Sequence, residues 1–242
     1  MISGENLLDL TKFLGAGISM GMAAIGASIG IGQAGSVACS STSEQPRGYS
    51  EIFRTMLIGQ AVTESAAVFA LVISLLLIFV HLPGANFEGA AARLATGICM
   101  GFGAISSGLG AGFVNAEAVR GVGRRPDVST NMTITMLLGQ SVAQSSAIFA
   151  LIIAFVLAFS GGVGVSIVRV CAVLGAGICM GFGAIGPGIG CGVAGAYSCY
   201  GMACRLNQRP VIIRTMLLGQ AVSQSTAIYS LVIAFMLLFV AV

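Results

Sequence analysis

The chain has 242 residues, of which 57% are hydrophobic and only 8% charged, with 35 glycines, no tryptophan and a formal net charge of +3. Such a balance excludes an ordinary soluble domain and places the chain in a bilayer. No nucleic-acid partner is expected.

The N-terminal segment MISGENLLDLTKFL carries Glu5 and Asp9 ahead of Lys12, which is not the basic start of a signal peptide, so the first span is expected to be retained. A charge-free run then extends from Phe13 to Ser43. After a polar turn with Gln45, Pro46, Arg47 and Arg54 comes Thr55 to Val80, TMLIGQAVTESAAVFALVISLLLIFV, whose one ionisable group is Glu64. Further charge-free runs cover Leu94 to Ala116, Val128 to Val168, Val170 to Cys204 and Thr215 to Val242. Each exceeds the length of about 20 residues that a spanning helix needs, which predicts six spans.

The Glu64 segment recurs every eighty residues, as TMLLGQSVAQSSAIFALIIAFVLAF from Thr135 and TMLLGQAVSQSTAIYSLVIAFMLLF from Thr215. Gapless alignment pairs Met20 with Met100 and Met180, and Gly59 with Gly139 and Gly219. Each unit joins a glycine-rich span to a bulkier one through an arginine-bearing turn, so each is expected to form a two-helix hairpin. The predicted fold is an all-α membrane protein of six transmembrane helices in three tandem hairpins, bounded at 1–82, 83–162 and 163–242. Arg47, Arg54, Arg120, Arg124, Arg125, Arg205, Arg209 and Arg214, eight of eleven basic residues, lie in the turns, which are expected to face the cytoplasm. The termini and the linkers HLPGANFEG and SGGVGV are then expected on the opposite side.

The first spans contain AAIGASIGIGQAG from Ala23, GAISSGLGAGF from Gly103 and GAIGPGIGCGVAG from Gly183. Glycines two and four apart let helix backbones approach closely. Recurrence on first spans alone points to an inner circle of thin helices within an outer circle of bulky ones, and Pro187 is tolerable where neighbouring helices absorb a break in the ladder. Cys99, Cys171, Cys179, Cys191 and Cys199 sit among Gly, Ala and Met and read as small packing residues. No pair has CxxC spacing and the lone histidine, His81, closes a span, so no metal centre of nitrogen and sulfur ligands and no cofactor is expected.

A carboxylate in lipid is costly and functional by default, which singles out Glu64. Gln144 and Gln224 occupy the same place in the other hairpins, cannot ionise, and read as polar glue between spans. Gln60, Gln140 and Gln220, one turn earlier, read as packing residues, as do Phe69, Phe149 and Tyr229.

The glycine-alternating helix, the Gln45-Pro46 turn and TMLIGQAVTESAAVFALVISLLLIF resemble the c-subunit of the F-type ATP synthases, the rotor-ring proteolipid, once per hairpin over almost the whole chain. The resemblance implies a non-catalytic component of the membrane rotor ring, which carries H⁺ or Na⁺ on a mid-membrane carboxylate between half-channels of a stator. Glu64 matches that carboxylate. Implied partners are further copies of the chain, single-hairpin c-subunits in a mixed ring, the stator a-subunit, the central stalk of the soluble head and membrane lipid. The implied place is the bacterial cytoplasmic membrane.

In Na⁺-carrying relatives a glutamine lies thirty-three residues before the carboxylate; here Ile31 stands there, with Ala111 and Cys191 as its equivalents. Gln33 is turned through roughly 200° relative to that position and does not substitute. Val62 and Ser65, Val142 and Ser145, and Val222 and Ser225 keep the second-helix part of the ion-binding pattern. The resemblance sets the site between adjacent hairpins, with a backbone carbonyl and a serine hydroxyl from a neighbour, and fusion is expected to place one such neighbour in the same chain. A proton needs one acceptor and an apolar wall, whereas Na⁺ needs several oxygens, so H⁺ is expected rather than Na⁺. The turn also departs: Glu44-Gln45-Pro46 and Arg124-Arg125-Pro126 replace the family's Arg-Gln-Pro, and Pro210 is displaced by four residues, so the three loops need not act alike. The competing readings are a repeat-built transporter, which usually has inverted repeats and several polar groups at mid-membrane, and a structural membrane ring without rotary coupling.

Overall fold

The computed structural model describes residues 4–83, 86–161 and 166–240. Its helices are α1 (Gly4–Glu44), α2 (Tyr49–Phe79), α3 (Phe87–Arg124), α4 (Ser129–Phe159), α5 (Ile167–Gly183), α6 (Ile185–Cys204) and α7 (Arg209–Val240). With α5 and α6 counted as one, six helical spans are long and apolar enough to cross a membrane. They form three hairpins, α1 with α2, α3 with α4, and α5–α6 with α7. Parts of the two expected linkers, 84–85 and 162–165, lie outside the described residues.

A one-turn 3₁₀ helix closes each hairpin, at Pro46–Gly48, Pro126–Val128 and Leu206–Gln208. Proline suits the first two because the opening residue of a helix has no use for its N–H. The residue before each turn has nearly the same non-helical backbone, with φ/ψ of −133°/72° at Gln45, −144°/83° at Arg125 and −144°/84° at Arg205. Displacing the third proline therefore leaves the turn unchanged, and Pro210 falls in the first turn of α7, where it is again harmless. The loops differ in side chains but share one backbone.

The glycine-rich helices lie side by side, with α3 packed against α1 on one flank and α5–α6 on the other, while α2, α4 and α7 form a second row. The glycines set the spacing. A Cβ on Gly112 would fall 2.2 Å from the Gly30 Cα, and one on Gly192 would fall 2.3 Å from the Gly110 Cα. Backbone meets backbone at these points, and the register repeats from the first junction to the second. Bulkier Ile73, Leu77, Ile153 and Leu157 fill the space between rows.

Pro187 deprives the Gly183 carbonyl of its helical donor, and the third glycine-rich span is interrupted at Ala184. The ladder resumes at once, with Gly188 N–H on Ala184 O at 3.1 Å, and Ser106 of α3 donates to the same carbonyl at 3.0 Å. A neighbouring helix thus braces the break. Within each hairpin a small donor links the two rows: Ser19 Oγ to Ala70 O at 3.3 Å, Cys99 Sγ to Ala150 O at 3.4 Å and Cys179 Sγ to Ser230 O at 3.7 Å. These two cysteines do more than fill space. At the end away from the turns, Glu88 in the first turn of α3 is fully buried and paired with Arg169 Nε of α5 at 2.5 Å. Its place in a linker sequence gave no sign of this burial.

Gly112→Ala is expected to force α1 and α3 apart at a cost of about 1–3 kcal/mol. A lower midpoint of thermal unfolding in detergent is the expected result, and an unchanged midpoint would contradict the backbone contact.

Candidate functional site

On α2, α4 and α7 the pairs Gln60 and Glu64, Gln140 and Gln144, and Gln220 and Gln224 are four residues apart, which places each pair on one helix face. Those faces meet the preceding hairpin. Gln144 is 5% exposed, and its Nε2 donates to Val62 O at 2.8 Å. Ser65 Oγ donates to the same carbonyl at 2.7 Å. The next junction repeats the arrangement: Gln224, 7% exposed, donates to Val142 O at 2.8 Å and to Ser145 Oγ, which itself donates to Val142 O at 2.6 Å. Val62 and Ser65 therefore face Gln144, and Val142 and Ser145 face Gln224.

One turn earlier lies a second row of bonds, at positions whose sequence pattern suggests only packing. Gln140 Nε2 donates to Ala111 O of its own hairpin at 3.0 Å, and to Gly59 O at 2.9 Å and Thr63 Oγ1 at 3.2 Å in the preceding hairpin. Gln220 Nε2 bonds Cys191 O at 2.9 Å and Gly139 O at 3.0 Å. Among the described residues Gln60 keeps only the bond within its hairpin, to Ile31 O at 3.2 Å. Glutamine recurring one turn before each of Glu64, Gln144 and Gln224 was the signal; the carbonyls it reaches are not visible in a sequence.

The two ends of this series are open. Glu64 is exposed and makes no hydrogen bond or ion pair among the described residues. At the opposite edge Val222 is 74% exposed, and the one side chain among the described residues that bonds Val222 O is Ser225 of its own helix, through Oγ at 2.7 Å. At this level both glutamine bonds between hairpins run backward along the chain, from Gln144 to Val62 and from Gln224 to Val142. The expectation that fusion supplies the neighbour for Glu64 within the chain is therefore corrected: the second hairpin engages the first through Val62, and no described residue hydrogen-bonds Glu64.

The first-helix positions also resolve. Ile31, Ala111 and Cys191 offer no side-chain oxygen, and their backbone carbonyls accept the glutamine amides. Gln33 lines a cavity of about 620 Å³ with Arg120, Arg124, Tyr197 and Tyr200, bounded only by glycine-rich helices and so remote from the α2 face that bears Glu64. Tyr229 is 65% exposed at the open edge with Val222. Among the described residues, no three His, Cys, Asp or Glu side chains gather in a way that suits a metal ion.

The family model for the ATP synthase C-subunit matches residues 14–77, 94–157 and 174–237, one match per hairpin and most of the chain. The chain belongs to the ATP synthase C-subunit family. It is 55% identical over 67 residues to the ATP synthase c-subunit of Thermotoga petrophila, a stretch that is 28% of this chain and 79% of that protein. With the ATP synthase c-subunit of Natranaerobius thermophilus the identity is 44% over 81 residues, 34% of this chain and 93% of the relative. With that of Dehalococcoides mccartyi it is 46% over 72 residues, 30% and 95% respectively. Each of these relatives is about one hairpin long, and this member fuses three.

Gln144→Leu removes the amide donor to Val62 O and is expected to cost about 1–2 kcal/mol in detergent unfolding. Gln144→Glu as a neutral acid keeps one donor and should cost clearly less. Equal losses would mean that the bond carries no weight.

Proposed function

We propose that this chain is a non-catalytic rotor-ring component of a membrane ATP synthase or ATPase in which Glu64 carries a proton, completed by Val222 O and Ser225 Oγ of a neighbouring copy. One observation carries the reading. At both internal junctions the group in the carboxylate position is a neutral donor on a valine carbonyl, at 2.8 Å each time. A protonated Glu64 has one O–H and can make the same bond; an ionised Glu64 has none to give. Gln144 and Gln224 thus act as fixed likenesses of the proton-loaded state.

Two features favour H⁺ over Na⁺. The first helix offers no side-chain oxygen at Ile31, and the backbone oxygen there is engaged by Gln60. The remaining pair, a carbonyl and a hydroxyl, suffices for one O–H donor and is sparse for a hard cation that takes several oxygens.

Neutral Glu64 can face lipid, whereas an ionised carboxylate at mid-membrane costs about 2.5–3.5 kcal/mol or more. Glu64 therefore ionises only opposite a group of opposite charge, an arginine of the stator a-subunit, and rotation follows because only the neutralised site re-enters lipid. The arginine-bearing turns face the cytoplasm of a bacterial cell and meet the central stalk, and ATP chemistry occurs on the soluble head. The ring consists of copies of this chain, with or without single-hairpin members.

Glu64→Gln in the assembled complex should abolish ATP-driven ion pumping while leaving rings intact, because glutamine is already accommodated at the other two positions. Persistent pumping would assign the ion to another group. A carbodiimide should label Glu64 at a rate that millimolar Na⁺ leaves unchanged; strong protection by Na⁺ would replace the proton with sodium.

A further inference from the structure

Gln60 keeps the bond within its hairpin but, among the described residues, lacks the bonds that Gln140 and Gln220 make to the preceding hairpin. The latter reach back eighty-one residues, to Gly59 O at 2.9 Å and Gly139 O at 3.0 Å. The same step from Gln60 leads past the start of the chain to the place of Gly219, if another copy's third hairpin stands there. Gly219 is exposed at the open edge, unlike buried Gly59 and Gly139, and its carbonyl receives no side chain among the described residues. Other groups on the two edges match under the same step. The bonds from Gln144 to Val62 and from Gln224 to Val142 translate to Glu64 on Val222. The contacts of Gly112 with Gly30 and of Gly192 with Gly110 translate to Gly32 on Gly190. A Cβ on Gly32 would meet nothing within 4 Å, and one on Gly190 would meet only Ser223 of its own hairpin. Unpaired groups on one edge thus find partners on the other, as a head-to-tail contact between copies requires.

We infer that Gln60 is a positioning residue of the ion site: it donates across the seam to Gly219 O of the next copy and so holds Glu64 against that copy's Val222 O and Ser225 Oγ. The inference rests on the reading of Glu64 as the ion carrier. Four residues of helix separate Gln60 from Glu64, about 6 Å along the axis, so two bonds onto one facing backbone fix both height and rotation. At the internal junctions both members of the pair are amides and both bonds are permanent. At the seam Glu64 must give up its proton, and the carboxylate then has no hydrogen to donate to Val222 O. Gln60 cannot ionise, and its bond keeps the two copies in register until the carboxyl is reloaded.

The seam register is read by a cysteine pair. Thr55 Oγ1 and Thr133 Oγ1 lie 3.4 Å apart at the first internal junction, and the equivalent seam positions are Thr215 of one copy and Phe53 of the next. In the assembled complex, Phe53→Cys with Thr215→Cys should oxidise into ladders of linked chains, and neither single substitution should. Absence of ladders overturns the seam. Gln60→Met, close in volume but without the N–H, should lower this linking several-fold and lower the ions pumped per ATP hydrolysed several-fold. Gln140→Met, which loses the same kind of bond inside the chain, should lower thermal stability and leave both readouts unchanged. If Gln60→Met prevents ring assembly and Gln140→Met does not, the seam role also stands. If the two variants behave alike, or Gln60→Met matches the parent in both readouts, the inference fails. Ladders that depend on Gln60 while Glu64→Gln still pumps would retain the seam contact and reject the carrier assignment instead.

Discussion

A hydrogen bond from a second-row side chain to a backbone carbonyl of the preceding hairpin governs this molecule. In lipid no water is at hand to take the place of a lost partner, so a donor on Val62 O or Val142 O is kept rather than exchanged. The bond needs a neutral donor at position 144 or 224, a carbonyl freed toward it, and helices near enough to reach, and the glycine contacts supply that nearness. Direction follows from it too. Because the second-row glutamines reach back to the hairpin before, Glu64 is left without a partner among the described residues and the carbonyls of Gly219 and Val222 without a glutamine, which a neighbouring copy would complete.

Much of this was legible in the sequence. Hydropathy and an eighty-residue period disclose six spans and three hairpins, and the glycine runs disclose which helices pack closest. Glu64 stands out because its two equivalents are glutamines. Other features were hidden because they are relations between backbone atoms. Gln60, Gln140 and Gln220 look like ordinary small-interface polar residues until Gly59 O and Gly139 O are seen beneath them. Which neighbour completes the carboxylate depends on the hand in which the hairpins follow one another, and a one-dimensional repeat has no hand. The burial of Glu88 depends on Arg169, eighty-one residues away, and the common 3₁₀ turn survives loss of its proline because Arg205 adopts the same backbone as Arg125 without it.

Fusion also sets the gearing. In a ring made only of this chain, one hairpin in three carries an ion, so a turn moves a third as many ions as a ring of equal size with every carboxylate present. At fixed ATP per turn each ion receives three times the free energy, and at about 2.3 kcal/mol per charge per 100 mV that supports a steeper gradient. Such a ring suits an ATP-driven pump. In such a ring Gln144 and Gln224, which cannot ionise, would keep the long arcs between Glu64 positions neutral.

The central claim is that three hairpins hold one exchangeable site. Saturating the intact ring with a carboxyl-directed carbodiimide and weighing the separated chains tests it most directly. The account predicts one adduct per 24.4 kDa chain, on the peptide that contains Glu64, with buried Glu88 protected by its pairing to Arg169. Two or more adducts per chain, or one adduct on a different residue, would contradict it.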